Sequence, residues 1–206
     1  SIGGSSSLRL SDPLYLNEKM TKRICNDFVS IATDISPMLA DAIDTIGPIQ
    51  LKKRNDQPFV DVLFRAIAGQ QLSTKAARSI WNRLIENADD QSLIDFVGHS
   101  KPDQIRRCGL SNAKVKSFKA IVDAYSAGRL DQNSLSRFDH NQRSERLTEI
   151  WGVGQWTADM MGIFYFGDKD VWPDSDLAVW KTLQRLTNRR RKTIRTAQRF
   201  APHRSY

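Results

Sequence analysis

Leu147-Thr148-Glu149-Ile150-Trp151-Gly152-Val153-Gly154-Gln155-Trp156-Thr157-Ala158 is the stretch on which the reading of this chain turns. Two glycines flank one apolar residue, so the backbone can turn tightly while Val153 plugs the space between the flanking segments. On both sides apolar residues recur at helical spacing, which predicts helices over 144–151 and 156–166. The second of these starts with its free N–H groups facing outward. Such a terminus binds an anion, and a phosphate of a DNA backbone is the obvious candidate, held without reading any base. The plain alternative is a helical hairpin closed by Gly-x-Gly with no ligand.

Working outward, the same periodicity predicts helices over 19–31 and 37–46, closed by Gly47-Pro48, and over 58–68, ended by Gly69. Ser73 caps a fourth, whose stripe is Ala76, Ala77, Ile80, Trp81, Leu84 and Ile85. Short helices follow over 90–97 and 102–108, then a longer one over 112–126 capped by Ser111, and a last pair over 177–186 and about 192–200. Nothing alternates with period two and no fixed repeat occurs, so the expected class is all-α. SIGGSSSLRL at residues 1–10 reads as a flexible tail and not a signal peptide, which leaves 11–206 as the folded domain.

Composition narrows the function classes. With 40% hydrophobic residues the 206-residue chain is too apolar for intrinsic disorder, and its longest apolar stretch, near Phe164, falls far short of a bilayer span. Two cysteines, Cys25 and Cys108, supply neither a four-ligand zinc site nor an iron–sulfur cluster, and a reducing compartment is the default. The net charge of +8 is concentrated: residues 181–206 carry nine Lys/Arg and no acid, including Arg189-Arg190-Arg191-Lys192. A polyanion partner and a solvated basic helix face both fit that pattern.

The hairpin Gly152-Val153-Gly154-Gln155-Trp156-Thr157-Ala158-Asp159-Met160, followed by Val171-Trp172-Pro173-Asp174-Ser175-Asp176-Leu177, resembles the helix-hairpin-helix-GPD superfamily of DNA glycosylases. The nearest likeness is to its alkylation-repair branch, 3-methyladenine DNA glycosylase II. Gly69-Gln70-Gln71-Leu72-Ser73, Cys108-Gly109-Leu110-Ser111-Asn112-Ala113-Lys114 and Pro202-His203-Arg204-Ser205-Tyr206 look like three further signatures, and the five stand in matching order over about residues 35–206.

The resemblance implies two helical lobes with a cleft for a flipped base: a middle lobe of about 55–165 with the hairpin at 144–166, and a second lobe from the N- and C-terminal helices. It implies Asp176 as the catalyst, a carboxylate that stabilises an oxocarbenium-like sugar and orients or deprotonates water. Asp174 is the rival, and the plain role for either is the N-cap of the helix that follows. The lysine of bifunctional relatives is replaced by Trp156, so the expected reaction is hydrolysis without strand cleavage. Alkylated purines such as 3-methyladenine or 7-methylguanine leave as neutral bases without a general acid. A pocket of Trp156, Phe164, Trp172 and Met160 would favour such cations through their aromatic faces, although Phe164 also suits an ordinary core position.

Gln71 is implied as the wedge that fills the gap left by the flipped base, with Gln70 and Leu72 as alternatives. Gly152, Val153, Gly154 and Thr157 would bind phosphate. No cofactor is implied beyond a monovalent cation, Na or K, on the carbonyls of Thr148, Ile150 and Val153. The expected partner is double-stranded DNA with damaged bases, the expected state a monomer without a membrane, and the expected location bacterial cytoplasm and nucleoid or a eukaryotic nucleus. Two departures stand out: relatives continue past the Pro-x-Arg-Ser element into another helix, and the 189–192 run is unusually basic. A binder of damaged or abasic DNA that hydrolyses nothing is the alternative function, and a helical protein-interaction module a more distant one.

Overall fold

The structure, a computed structural model, describes residues 19–188 and 193–206. The tail expected over residues 1–10 and the basic run Arg189-Arg190-Arg191-Lys192 lie outside the described residues. The described chain is helical, with one isolated bridge between Lys19 and Gln50 in place of any sheet. Its helices are α1 (Lys22–Thr33), α2 (Pro37–Ile46), α3 (Phe59–Gly69), α4 (Thr74–Ala88), α5 (Leu93–His99) and α6 (Pro102–Arg107). They continue with α7 (Asn112–Ser126), α8 (Gln132–Ser136), α9 (His140–Thr148), α10 (Gln155–Met161), α11 (Leu177–Thr187) and α12 (Thr193–Ala197). A π-helical turn, Gly162–Phe166, extends α10, and a 3₁₀ turn, Gln198–Phe200, extends α12.

Local chemistry explains the boundaries. Ser73 and Ser111 cap α4 and α7 by accepting the amides of Ala76 and Lys114, each at 3.3 Å. Helix α9 begins four residues earlier than periodicity predicts, because Asp139 and Gln142 form a capping box over a first turn whose residues are all polar. Helix α8 has too few apolar residues to announce itself and is started by Asp131, which accepts the Ser134 amide at 2.8 Å. The stripe read on α4 holds for Ile80 and Leu84, but Ile85 at its end is 46% exposed.

Two helical lobes result. In the first, Leu63, Phe64 and Ile67 of α3 meet Phe118 and Ile121 of α7, with the Phe64 and Phe118 rings 4.5 Å apart, and the hairpin adds Leu147, Ile150, Val153, Ala158 and Met161 to the same core. In the second, Ala32, Ile35, Leu39 and Ala40 pack against Leu183 and Leu186 of α11, while Cys25 and Phe28 pack toward Phe200 and Tyr206. Cys25 and Cys108 are both free and buried, one in each lobe.

Side chains also stitch the chain ends to the lobes. Ser36 spends its hydroxyl on the Leu186 carbonyl at 2.8 Å and so ties α2 to the end of α11. Arg204 grips the Asp170 carboxylate at 2.7 and 2.8 Å, anchoring the chain end to the segment that leads from the hairpin to α11. The pairing holds the Asp170 carboxyl below the usual carboxylate range.

Candidate active site at the helical hairpin

Helices α9 and α10 meet through residues 149–154. Val153 is buried and donates its amide to the Ile150 carbonyl at 3.0 Å, so the apolar residue between the glycines is the plug of the turn. Gly152 has φ +86°, and a Cβ there would stand 2.0 Å from the Ser117 hydroxyl oxygen on α7. Only glycine fits. Gly154, the N-cap of α10, has ordinary backbone angles and nothing within 4 Å of where a Cβ would be.

The Thr157 hydroxyl is not free for a phosphate. The residue as a whole is 1% exposed, and its hydroxyl accepts the Gln70 amide at 2.9 Å inside the fold. The Thr148 hydroxyl likewise turns back to the Ser144 carbonyl at 2.8 Å. What Thr148, Ile150 and Val153 can offer a cation is therefore carbonyl oxygens, that of Ile150 already accepting the Val153 amide.

Asp176 is the N-cap of α11, and it does more than cap. Its Oδ1 accepts the amides of Ala178 at 2.8 Å and Val179 at 3.0 Å, and its Oδ2 accepts the indole N–H of Trp156 at 2.8 Å. Burial pushes this carboxyl up, but the Trp156 indole and the Val179 and Ala178 amides outweigh burial and hold its pKa below the usual range. The positive end of α11 acts in the same direction. Asp174 is exposed and accepts the Thr193 hydroxyl at 3.3 Å. The N-cap and the charged group beside the hairpin are thus one residue, Asp176.

A cavity of about 480 Å³ opens beside Trp156, lined also by Met160, Phe164, Trp81 and the exposed Arg54, Arg65 and Arg78. Phe164 is 37% exposed and is not a core residue. Trp172 does not line this cavity. Ser205 brackets Val171 through both its amide and its carbonyl, and Trp172 shares a separate apolar groove with Ala178, Val179 and Leu183 of α11. Gln71, exposed in the loop between α3 and α4, has φ +58° and protrudes, as does Leu72, whereas Gln70 is committed to Thr157.

Sequence reasoning missed the network behind the hairpin. The His140 ring reaches Asp159 at 3.1 Å and Asp168 at 3.3 Å, and Asp168 also takes both oxygens' worth of hydrogen bonds from Arg143 at 2.7 Å. The bonds to Asp159 and Asp168 push the imidazole up to about 9 against burial, so it is an imidazolium at neutral pH. Its partners stand 19 and 28 residues away, and no local pattern links them.

These features define a helix-hairpin-helix protein with a carboxylate bonded to the indole that lines an aromatic cavity. The chain belongs to the HhH-GPD superfamily of base excision DNA repair proteins, whose family model matches residues 64–202. It is 35% identical over 130 residues to DNA-3-methyladenine glycosylase 1 of Schizosaccharomyces pombe, covering 60% of this chain and 57% of that protein. It is 31% identical over 153 residues to a probable bifunctional transcriptional activator and DNA repair enzyme of Mycobacterium tuberculosis, of which it spans 30%. A DNA-3-methyladenine glycosidase of Bacillus halodurans superposes with a TM-score of 0.73 at 26% identity, over 88% of this chain and 84% of that one. The S. pombe 3-methyladenine DNA glycosylase bound to abasic DNA gives 0.74 at 24% identity over 89% and 91%, which speaks for the fold. Among the described residues no helix is long and apolar enough to cross a membrane.

Proposed function

We propose that this protein is a monofunctional DNA glycosylase that releases alkylated purines, such as 3-methyladenine and 7-methylguanine, from duplex DNA as the first step of base excision repair. The observation that carries the reading is the Asp176 carboxylate, kept ionised by three donors, one of them a ring that lines the cavity. A flipped base enters the cavity and stacks on Trp156 and Phe164, whose faces attract a cationic ring. As the glycosidic bond breaks, the sugar gains positive charge, and Asp176 stabilises it and orients the attacking water. The alkylated base leaves neutral and needs no protein acid.

The hairpin supplies the anchor, with the amides that open α10 facing a phosphate across Gly154. A monovalent cation on the carbonyls of Thr148, Ile150 and Val153 would add positive charge beside that phosphate. Arg54, Arg65 and Arg78, exposed at the cavity rim, meet phosphates rather than the base. The partner is double-stranded DNA and the protein acts as a monomer, in a bacterial nucleoid or a eukaryotic nucleus.

The test is base release from DNA containing 3-methyladenine, 7-methylguanine or hypoxanthine, with borohydride present in a parallel reaction. Release of the two charged bases ahead of neutral hypoxanthine, an intact abasic strand and no trapped protein–DNA complex are expected. Binding to abasic DNA without any release would replace the enzyme by a damage binder. Hypoxanthine released first would reassign the substrate class, and efficient trapping would remove the monofunctional mechanism.

A further inference from the structure

Lysine 114 stands in a place that its own helix disfavours. It occupies the third position of α7, at the positive end of the helix dipole, and its side chain is half-buried. Burial lowers the pKa of its ammonium. What it gains lies on another element: Nζ donates to the carbonyls of Ala68 and Gln70, both at 2.8 Å. Those carbonyls belong to the last turn and cap of α3, where carbonyl groups lack partners and negative potential gathers.

The residue that follows them is Gln71, the exposed left-handed position of the loop. Glutamine does not settle there unaided, so its neighbours must hold the backbone. Lys114 holds one side. On the other, the Gln70 side chain donates to the buried Thr157 hydroxyl on α10, one residue from Trp156. The loop is therefore registered to two elements, and through α10 to the Asp176 carboxylate.

We propose that Lys114 is a positioning residue for base flipping: its ammonium clasps the carbonyls on either side of Gly69 and so aims Gln71 into the gap that the extruded base leaves. The assignment rests on the glycosylase reading for the meaning of that gap. Lys114 touches neither base nor sugar. It acts through the loop, so its loss shows wherever a stacked, paired base must be displaced and fades where there is little to displace.

Single-turnover excision is compared for a lesion opposite its normal partner and for the same lesion opposite an abasic site, with folding checked by thermal melting. Lys114→Met is expected to slow the first by about ten- to a hundredfold, the scale of hydrogen bonds to a charged group, and the second by no more than about threefold. Lys114→Arg should recover most of the loss. Gln71→Ala should give the same selective pattern, and the double variant should be no worse than the more damaged single variant. Equal loss on both substrates, or additive losses in the double variant, would overturn the proposal.

A second readout does not depend on turnover. With 2-aminopurine beside a paired lesion whose sugar carries a 2′-fluorine that blocks its release, binding of the parent should raise fluorescence as the stack opens, and Lys114→Met should blunt that rise while affinity stays within about threefold. An unchanged rise would overturn the positioning role even if the parent released no base, an outcome that would by itself remove the enzymatic reading.

Discussion

Asp176 shows how one side chain can answer two demands. A helix N-cap needs an acceptor for the amides of α11, and a carboxylate beside an aromatic ring needs donors that keep it ionised; two of its three hydrogen bonds meet the first need and all three meet the second. Asp176→Asn keeps an acceptor for the cap and the shape of the side chain, but removes the charge. Turnover is expected to fall at least about a hundredfold with DNA affinity little changed, while the melting temperature drops by a few degrees, because the new amide nitrogen faces the Trp156 indole N–H donor to donor. Asp174→Asn should cost less than about threefold, since Asp174 is exposed, accepts a hydroxyl of α12 and does not line the cavity. Single-turnover base release with both variants checks this, and the reverse ranking would hand the chemistry to Asp174.

At the scale of elements the hairpin separates two kinds of glycine that a sequence writes with one letter. Gly152→Ala forces a Cβ against Ser117 in a backbone region that side chains disfavour, and should destabilise the fold by about 1–3 kcal/mol. At Gly154 a Cβ would meet nothing within 4 Å, so Gly154→Val should cost only the weaker N-cap, a few degrees of melting temperature, yet lose about tenfold or more in affinity for damaged and undamaged DNA alike. Melting curves and binding isotherms for the pair check both halves. Normal binding by a folded Gly154→Val variant would remove the hairpin as anchor. Spacing made the turn, its plug and most helices legible, because each rests on residues adjacent in the chain. The start of α9 was written in Asp139-His140-Asn141-Gln142, but as a capping box and not as an apolar stripe. The orientation of Trp172 and the grip of Lys114 on α3 had no such local trace, since each depends on a partner from another part of the chain.

For the whole molecule, the network around His140 joins α9, α10 and the segment leading toward α11, and it carries a sign. The folded-state pKa, about 9, lies above the unfolded value near 6.5. Its contribution to stability is therefore complete below about pH 6.5 and is lost as pH rises through about 9. The side chain is 21% exposed, and the effect is on the order of 2–3 kcal/mol. His140→Gln should melt about 5 °C or more below the parent at pH 6, with the gap closing above pH 9, as melting curves across that range would show. A gap that stayed constant with pH would mean that packing, and not charge, is what His140 supplies.

The bond from the Trp156 indole to Asp176 has one end on each lobe. Any hinge-like parting of the two halves must stretch it before it disturbs either core, and the carboxylate then exchanges a protein donor for water. The reactivity of the acid is thereby tied to how tightly the halves are docked: an open jaw carries a differently solvated and differently aimed carboxylate from a shut one. The indole is also a natural fluorophore whose emission senses such a neighbour, so the molecule carries its own gauge of closure.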